Sequence, residues 1–259
     1  MTGRRLIRRP LSWRVVSRLE KPEGVALAIV MAALAAIGWY AAPFWLAVAI
    51  AGQLVLGGLG AVWIIGPATT RIGFARYATL AVSGVAFTLF GRLTVGTIGL
   101  LLVPVAAILL WTVIWLELQA NRTGRGGLGL ELAMIGVVFG TAAGLLSLTL
   151  PGSWATGIGL LLPLVAVPAV RSAETRQRYG VEAIGQALLH LLAVAQVATA
   201  VALMGIPAIV AAALLALAFH AWGGAAEALD DGAPARAVAL EFGSLAVLGV
   251  VVALLLQAS

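Results

Sequence analysis

The chain has two histidines, and each lies in an apolar stretch that also carries a carboxylate. His190 sits in YGVEAIGQALLHLLAVAQ (179–196), with Glu182 and Gln186 at the preceding four-residue steps. On a helix, residues at i, i+4 and i+8 drift by about 40° per step, so these three share one broad face. Gln196 falls on another side. His220 sits in ALLALAFHAWGGAAEALDD, seven residues before Glu227, and that pair also shares a face. An imidazole can hold or release a proton near neutral pH, and a neighbouring carboxylate tunes it. Glu182, Gln186, His190, His220 and Glu227 are therefore the candidate substrate- or proton-binding residues. Two other readings compete. The polar groups act only as hydrogen-bonding glue between helices, or the two histidines hold a b-type haem or a metal.

The elements that must position these groups are membrane helices. The 259 residues are 62% hydrophobic and only 10% charged, against about 25% charged in a soluble domain. The apolar runs are not alternating, and each has roughly the 20 residues that cross about 30 Å of hydrocarbon as helix. Barrel strands would be about 10 residues long and would alternate. The expected fold is all-α: a polytopic transmembrane bundle of about nine helices, arranged as four hairpins plus one. The spans read as 23–41, 43–65, 76–91, 95–119, 129–149, 152–170, 181–204, 206–227 and 235–257. Turn residues such as Pro43, Gly66–Pro67, Pro151–Gly152, Gly205 and Pro234 separate them. The third span is the weak one, being short and holding Thr79, Ser83 and Thr88.

Charge sets the expected direction. Arg4, Arg5, Arg8, Arg9, Arg14, Arg18 and Lys21 precede the first span. With that end in the cytoplasm and nine crossings, Arg71, Arg76, Arg122, Arg125, Arg171, Arg176, Arg178 and Arg236 also fall inside, and only Arg92 lies outside. Deleting the third span would break this pattern. The expectation is N-in and C-out, in the inner (plasma) membrane of a bacterium. Arg92 is expected to reach outward and complement a helix carboxyl end. Residues 1–21 form a basic amphipathic segment, with Leu11, Val15, Val16 and Leu19 on one arc and Arg14, Arg18 and Lys21 on the other. It suits a helix lying on an anionic inner leaflet. The bundle itself takes 22–259. The net charge of +6 serves orientation, and nucleic acid is not an expected partner.

Trp39, Trp45 and Trp154 flank outer turns, and Trp63, Trp115 and Trp222 lie near inner ends, as two aromatic belts would. Glu23, Glu131, Glu182 and Glu241 open the first, fifth, seventh and ninth spans, where a carboxylate meets free N–H groups. TIGLLLVPVA (97–106) resembles GIGLLLPLVA (157–166), a weak sign of duplication. Glu117 is expected in an interfacial ion pair beside Arg122 and Arg125. Pro163 and Pro168 are expected to break the sixth helix.

Several chemistries are excluded. There is no cysteine, hence no disulfide, thiolate metal site or cysteine nucleophile. The only lysine is Lys21, so no Schiff-base pigment fits. DDGAPAR (230–236) looks like the start of the CDP-alcohol phosphatidyltransferase signature. The aspartates that must follow are missing, and the match fails. What remains is small-solute transport, or a membrane subunit of a transporter with partner subunits, with a polar site on the seventh and eighth helices and no cofactor. The alternatives are a redox or lipid-modifying membrane enzyme and a structural membrane subunit.

Overall fold

A computed structural model of the chain describes residues 22–40, 43–66, 73–94, 97–123, 127–148 and 154–258. The basic segment 1–21, from Arg4 to Lys21, lies outside the described residues, as do Arg71 and Arg125. The described residues form nine α-helices and no strand: α1 Pro22–Tyr40, α2 Pro43–Ile65, α3 Ala75–Gly91, α4 Thr97–Thr123, α5 Leu128–Leu148, α6 Trp154–Thr175, α7 Val181–Leu203, α8 Ala208–Asp230 and α9 Ala235–Ala258. A short 3-10 turn, Arg92–Thr94, follows α3. Every helix except α3 is long and apolar enough to cross a membrane. The protein is an integral membrane protein whose outer faces contact lipid.

Successive helices run in opposite directions. Gly60 near the end of α2 lies against Leu27 near the start of α1, and Gly38 near the end of α1 lies against Ala49 of α2. The Trp39 indole donates to the Phe87 carbonyl late in α3 at 3.0 Å. Arg76, early in α3, meets Asn121, late in α4. Gly224 late in α8 abuts Phe242 early in α9. The bundle thus has two ends. Odd-numbered helices begin at one, here termed the basic end, and finish at the other. Among the described residues, every arginine except Arg92 lies toward the basic end, and so does every carboxylate. Arg92 at the far end donates to the Gly38 carbonyl in the last turn of α1 at 2.9 Å, which is the helix-end role its position suggested.

The short third helix is the centre of the bundle. It packs against α2, α5, α1, α6 and α4, and most of its residues are buried. At 1.5 Å per residue its 17 residues reach only about 26 Å, which suffices because neighbouring helices rather than lipid surround it. Its hydroxyls are satisfied within the helix. Thr79, Ser83 and Thr88 donate to the carbonyls of Ala75, Thr79 and Gly84 at 3.1, 2.7 and 2.8 Å. Glycines let its neighbours come close. A methyl at Gly57 of α2 would stand 2.5 Å from Ala81 Cα, and one at Gly144 of α5 would stand 2.6 Å from the Leu89 carbonyl carbon. Such contacts hold helices together where lipid removes the hydrophobic drive.

Two cores meet on α3. Met31, Ala35, Trp39, Ile64, Leu80 and Leu110 belong to the core of α1, α2 and α4. Val85, Leu89, Val138, Leu161, Val194 and Leu215 belong to that of α5 to α8. The α1–α2, α5–α6 and α7–α8 hairpins are packed pairs, whereas α4 leaves α3 to pack mainly on α1. The final helix touches α8 and is otherwise exposed.

Four expectations change. The sixth helix is continuous through Pro163 and Pro168. Each proline removes one N–H bond, and packing on α5, α7 and α3 holds the helix regardless. Trp39 is buried against Gly91 and Phe87 instead of lying in an aromatic belt. Glu241 lies six residues beyond the start of α9 at Ala235, so it does not open that helix. Glu117 pairs with Arg171, deep between helices, and not with an interfacial arginine.

Candidate functional site

The α7–α8 hairpin carries the candidate residues. Its far-end turn has Gly205 at φ 66°, with Ile206 N–H bonded to the Val201 carbonyl and Gly205 N–H to that of Ala202. That is a Schellman stop, for which a left-handed glycine is suited. The same pattern closes α8 at Gly232, with Ala233 N–H on the Ala228 carbonyl. It closes α6 as well, but there Gln177 takes the left-handed position at φ 65°. This tight end turns Arg176 and Arg178 toward α8.

The buried stripe of α7 is Ala183, Ala187, His190, Val194, Ala198 and Val201. His190 belongs to it and is 1% exposed. Glu182 does not, for the drift of about 40° per step carries it away from the stripe by two steps. Its side chain is 67% exposed and meets Arg178 Nη1 at 3.4 Å. Gln186 stands between. Its Nε2 donates to Asp230 Oδ2 at 3.3 Å, while its Oε1 is buried with no partner.

His190 packs its ring on Phe219 of α8, with centroids 4.9 Å apart. The carbonyls of Gln186 and Phe219 are within reach of the ring, but neither ring nitrogen makes a hydrogen bond of acceptable geometry. Gly223 gives the imidazole room. A methyl there would stand 3.4 Å from His190 Nε2 and 2.7 Å from Arg176 Nη2. Arg176 Nε lies 3.6 Å from Glu227 Oε2, and its Nη1 is buried without a partner. Glu227 itself is exposed.

His220 lies in the α8 turn flanked by Phe219 and Gly223, so both imidazoles occupy one level of the bundle. They face different neighbours. His220 is half-exposed, with Nδ1 3.4 Å from Glu131 Oε1 at the start of α5. The structure thus brings Gln186 and His190 together with Arg176 and Asp230, leaves Glu182 and Glu227 at the rim, and sends His220 elsewhere. Two imidazoles that turn to different helices do not frame an iron between them. Among the described residues, no three of His, Asp and Glu converge on a point that would hold a metal.

A cleft of about 350 Å³ opens between α7 and α8, lined by Gln186, Leu189, His190, Trp222, Leu229 and Asp230. Depressions of about 390 Å³ among α3, α4 and α5 and about 420 Å³ between α8 and α9 are larger and are lined almost wholly by apolar side chains, Ser83 and Thr112 in the first being the exceptions. The mouth of the polar cleft is charged. Arg178 Nη2 lies 3.2 Å from Asp230 Oδ2. The Asp230 carboxylate chiefly, with Glu182 adding, raises the Arg178 pKa further above its ordinary value, so this guanidinium is charged at every working pH.

Arg176, Arg178 and Asp230 were not among the residues picked from sequence. Their signal was the charged turn RSAETRQR (171–178) facing ALDD (228–231) across the end of a hairpin. A second polar group was missed too. Arg171 bonds Glu117 through two nitrogens, Nε to Oε1 at 3.0 Å and Nη2 to Oε2 at 2.6 Å. Its Nη1 also reaches Glu174 Oε2 at 3.3 Å. Glu174 Oε1 accepts from the Ala75 N–H at the head of α3, at 3.2 Å. Nearby, Arg76 donates to Asn121 Oδ1 at 2.6 Å and to the Tyr77 hydroxyl, with its guanidinium 4.3 Å from the Tyr77 ring centre. All these residues except Tyr77 are buried.

No protein family, curated protein or solved structure matches the chain.

Proposed function

We propose that the protein is a carrier of a small solute, or the membrane subunit of one, and that the solute binds between α7 and α8. One observation carries this reading. The cleft there is large enough for a small molecule, and two of the side chains that line it, His190 and Gln186, carry buried polar atoms that the fold leaves unbonded. A buried polar group without a partner costs about 1–3 kcal/mol, and a ligand that supplies the missing bond recovers it. The basic end faces the cytoplasm of a bacterial inner membrane in this proposal. The collection of the described arginines, Arg92 apart, at that end supports it, and the arginines of residues 4–18 precede the α1 end that lies there. Those arginines then rest on anionic lipid headgroups.

The absence of cysteine makes a clean test. An Ala226→Cys variant places one thiol in the wall of the cleft. A carrier presents its site to both sides in turn, so an impermeant thiol reagent should label this variant in vesicles of either orientation. Labelling from one side only, or from neither, overturns the carrier reading.

A further inference from the structure

We propose that the ligand of the α7–α8 cleft is an amphiphilic organic cation, an amine whose ammonium group sits against Asp230 and Gln186. This rests on the reading of the cleft as a binding site and adds the chemistry of what binds.

The donor and acceptor inventory points this way. Gln186 spends its amide nitrogen on Asp230 Oδ2, which turns its carbonyl oxygen into the buried region with nothing to accept from. Asp230 Oδ2 already serves both Arg178 and Gln186, and its other oxygen remains as a second acceptor beside the cleft. What these two side chains ask of a ligand is N–H donors. A carboxylate or phosphate would meet acceptors at both, and the unpartnered donor Arg176 Nη1 belongs to a residue outside the lining of the cleft.

Charge agrees. The chain as a whole is +6, yet the rim of this cleft sets Glu182, Glu227 and Asp230 against Arg176 and Arg178. A rim of net negative sign in a basic protein attracts cations. The rest of the wall is apolar. Leu189, Ala225, Ala226 and Leu229 line it, and Trp222 borders it, with a face that attracts ammonium groups. Leu189, Trp222 and Leu229 are exposed on the lipid-facing flank, so an alkyl tail can leave the cleft into hydrocarbon while the head stays on Asp230. Arg178 competes with the ligand for this carboxylate.

The test uses purified protein in nanodiscs of uncharged phosphatidylcholine, with hexylammonium, hexanoate and hexanol as probes. Trp222 reports binding, and a Trp222→Phe variant supplies the background from the other tryptophans. Hexylammonium should give a saturable change in Trp222 emission, and hexanoate none. Asp230→Asn should weaken hexylammonium by about tenfold or more, the loss of one charge-assisted contact. Arg178→Gln should tighten it, because the competing cation is gone. That direction is opposite to what damage to the hairpin would give. Hexanoate binding as tightly as hexylammonium, or Arg178→Gln weakening it, overturns the cationic class and leaves the cleft as a site. Silence of Trp222 toward all three probes overturns the site as well.

Discussion

Two polar regions lie toward the basic end of one bundle, and they are built on opposite terms. Around Arg171 the groups are saturated. Both oxygens of Glu117, both of Glu174 and all three guanidinium nitrogens of Arg171 have partners, and one of these is the first N–H of the central helix. Only Arg76 Nε is left over in the adjoining group. Around His190 the groups are open. Both imidazole nitrogens, Gln186 Oε1 and Arg176 Nη1 are buried with no partner. The first region joins α4, α6 and α3 and closes on itself. The second borders a cleft. Burying charge is costly, and a paired, fully bonded set returns that cost as a fixed geometry. Leaving polar atoms unbonded gives nothing back unless something else binds them. The difference separates a group that holds the fold from one whose unmet bonds the proposed ligand would make.

Three substitutions pull these regions apart. Arg171→Ala strands Glu117 and Glu174 inside the bundle, and a buried charge that loses its partner costs about 3–5 kcal/mol. Thermal unfolding in detergent should show the largest drop of any single change discussed here, or no folded protein at all. Glu117→Ala leaves Arg171 on Glu174 and should cost less, about 1–3 kcal/mol. If the two variants unfold together, the contact of Arg171 to Glu174 adds nothing and the bidentate pair alone holds the network. His220→Ala removes a half-exposed contact to Glu131, a pair of the kind worth about 0–1 kcal/mol. Its unfolding midpoint and its labelling pattern at Ala226→Cys should match those of the parent. A loss of two-sided labelling would return His220 to the site.

Membrane helices were legible in the sequence because lipid demands long apolar runs, and the nine elements stand close to where those runs lie. The third helix read poorly for a physical reason. A helix enclosed by other helices is free of that demand, so Thr79, Ser83 and Thr88 weakened its signal while each donates to the backbone of its own helix. Depth was also legible, since His190 stands eight residues from Glu182 and His220 seven from Glu227, and two glutamates at one boundary put both rings near one level. Facing was not. Adjacent residues on α8 differ by about 100°, so Phe219 meets His190 while His220 turns to α5. The drift along α7 likewise separated Glu182 from His190. The Arg171 network was invisible because its members come from α3, α4 and α6, and no spacing along the chain records how those ends meet.

The most direct measurement is the unfolding midpoint of His190→Phe. Phenylalanine keeps a ring against Phe219 and removes both unbonded nitrogens, and swapping unsatisfied polar atoms for apolar ones of similar shape is neutral or stabilising. A midpoint equal to or above that of the parent is expected, beside the steep fall for Arg171→Ala. A fall as large as that of Arg171→Ala would contradict it and make His190 a structural residue.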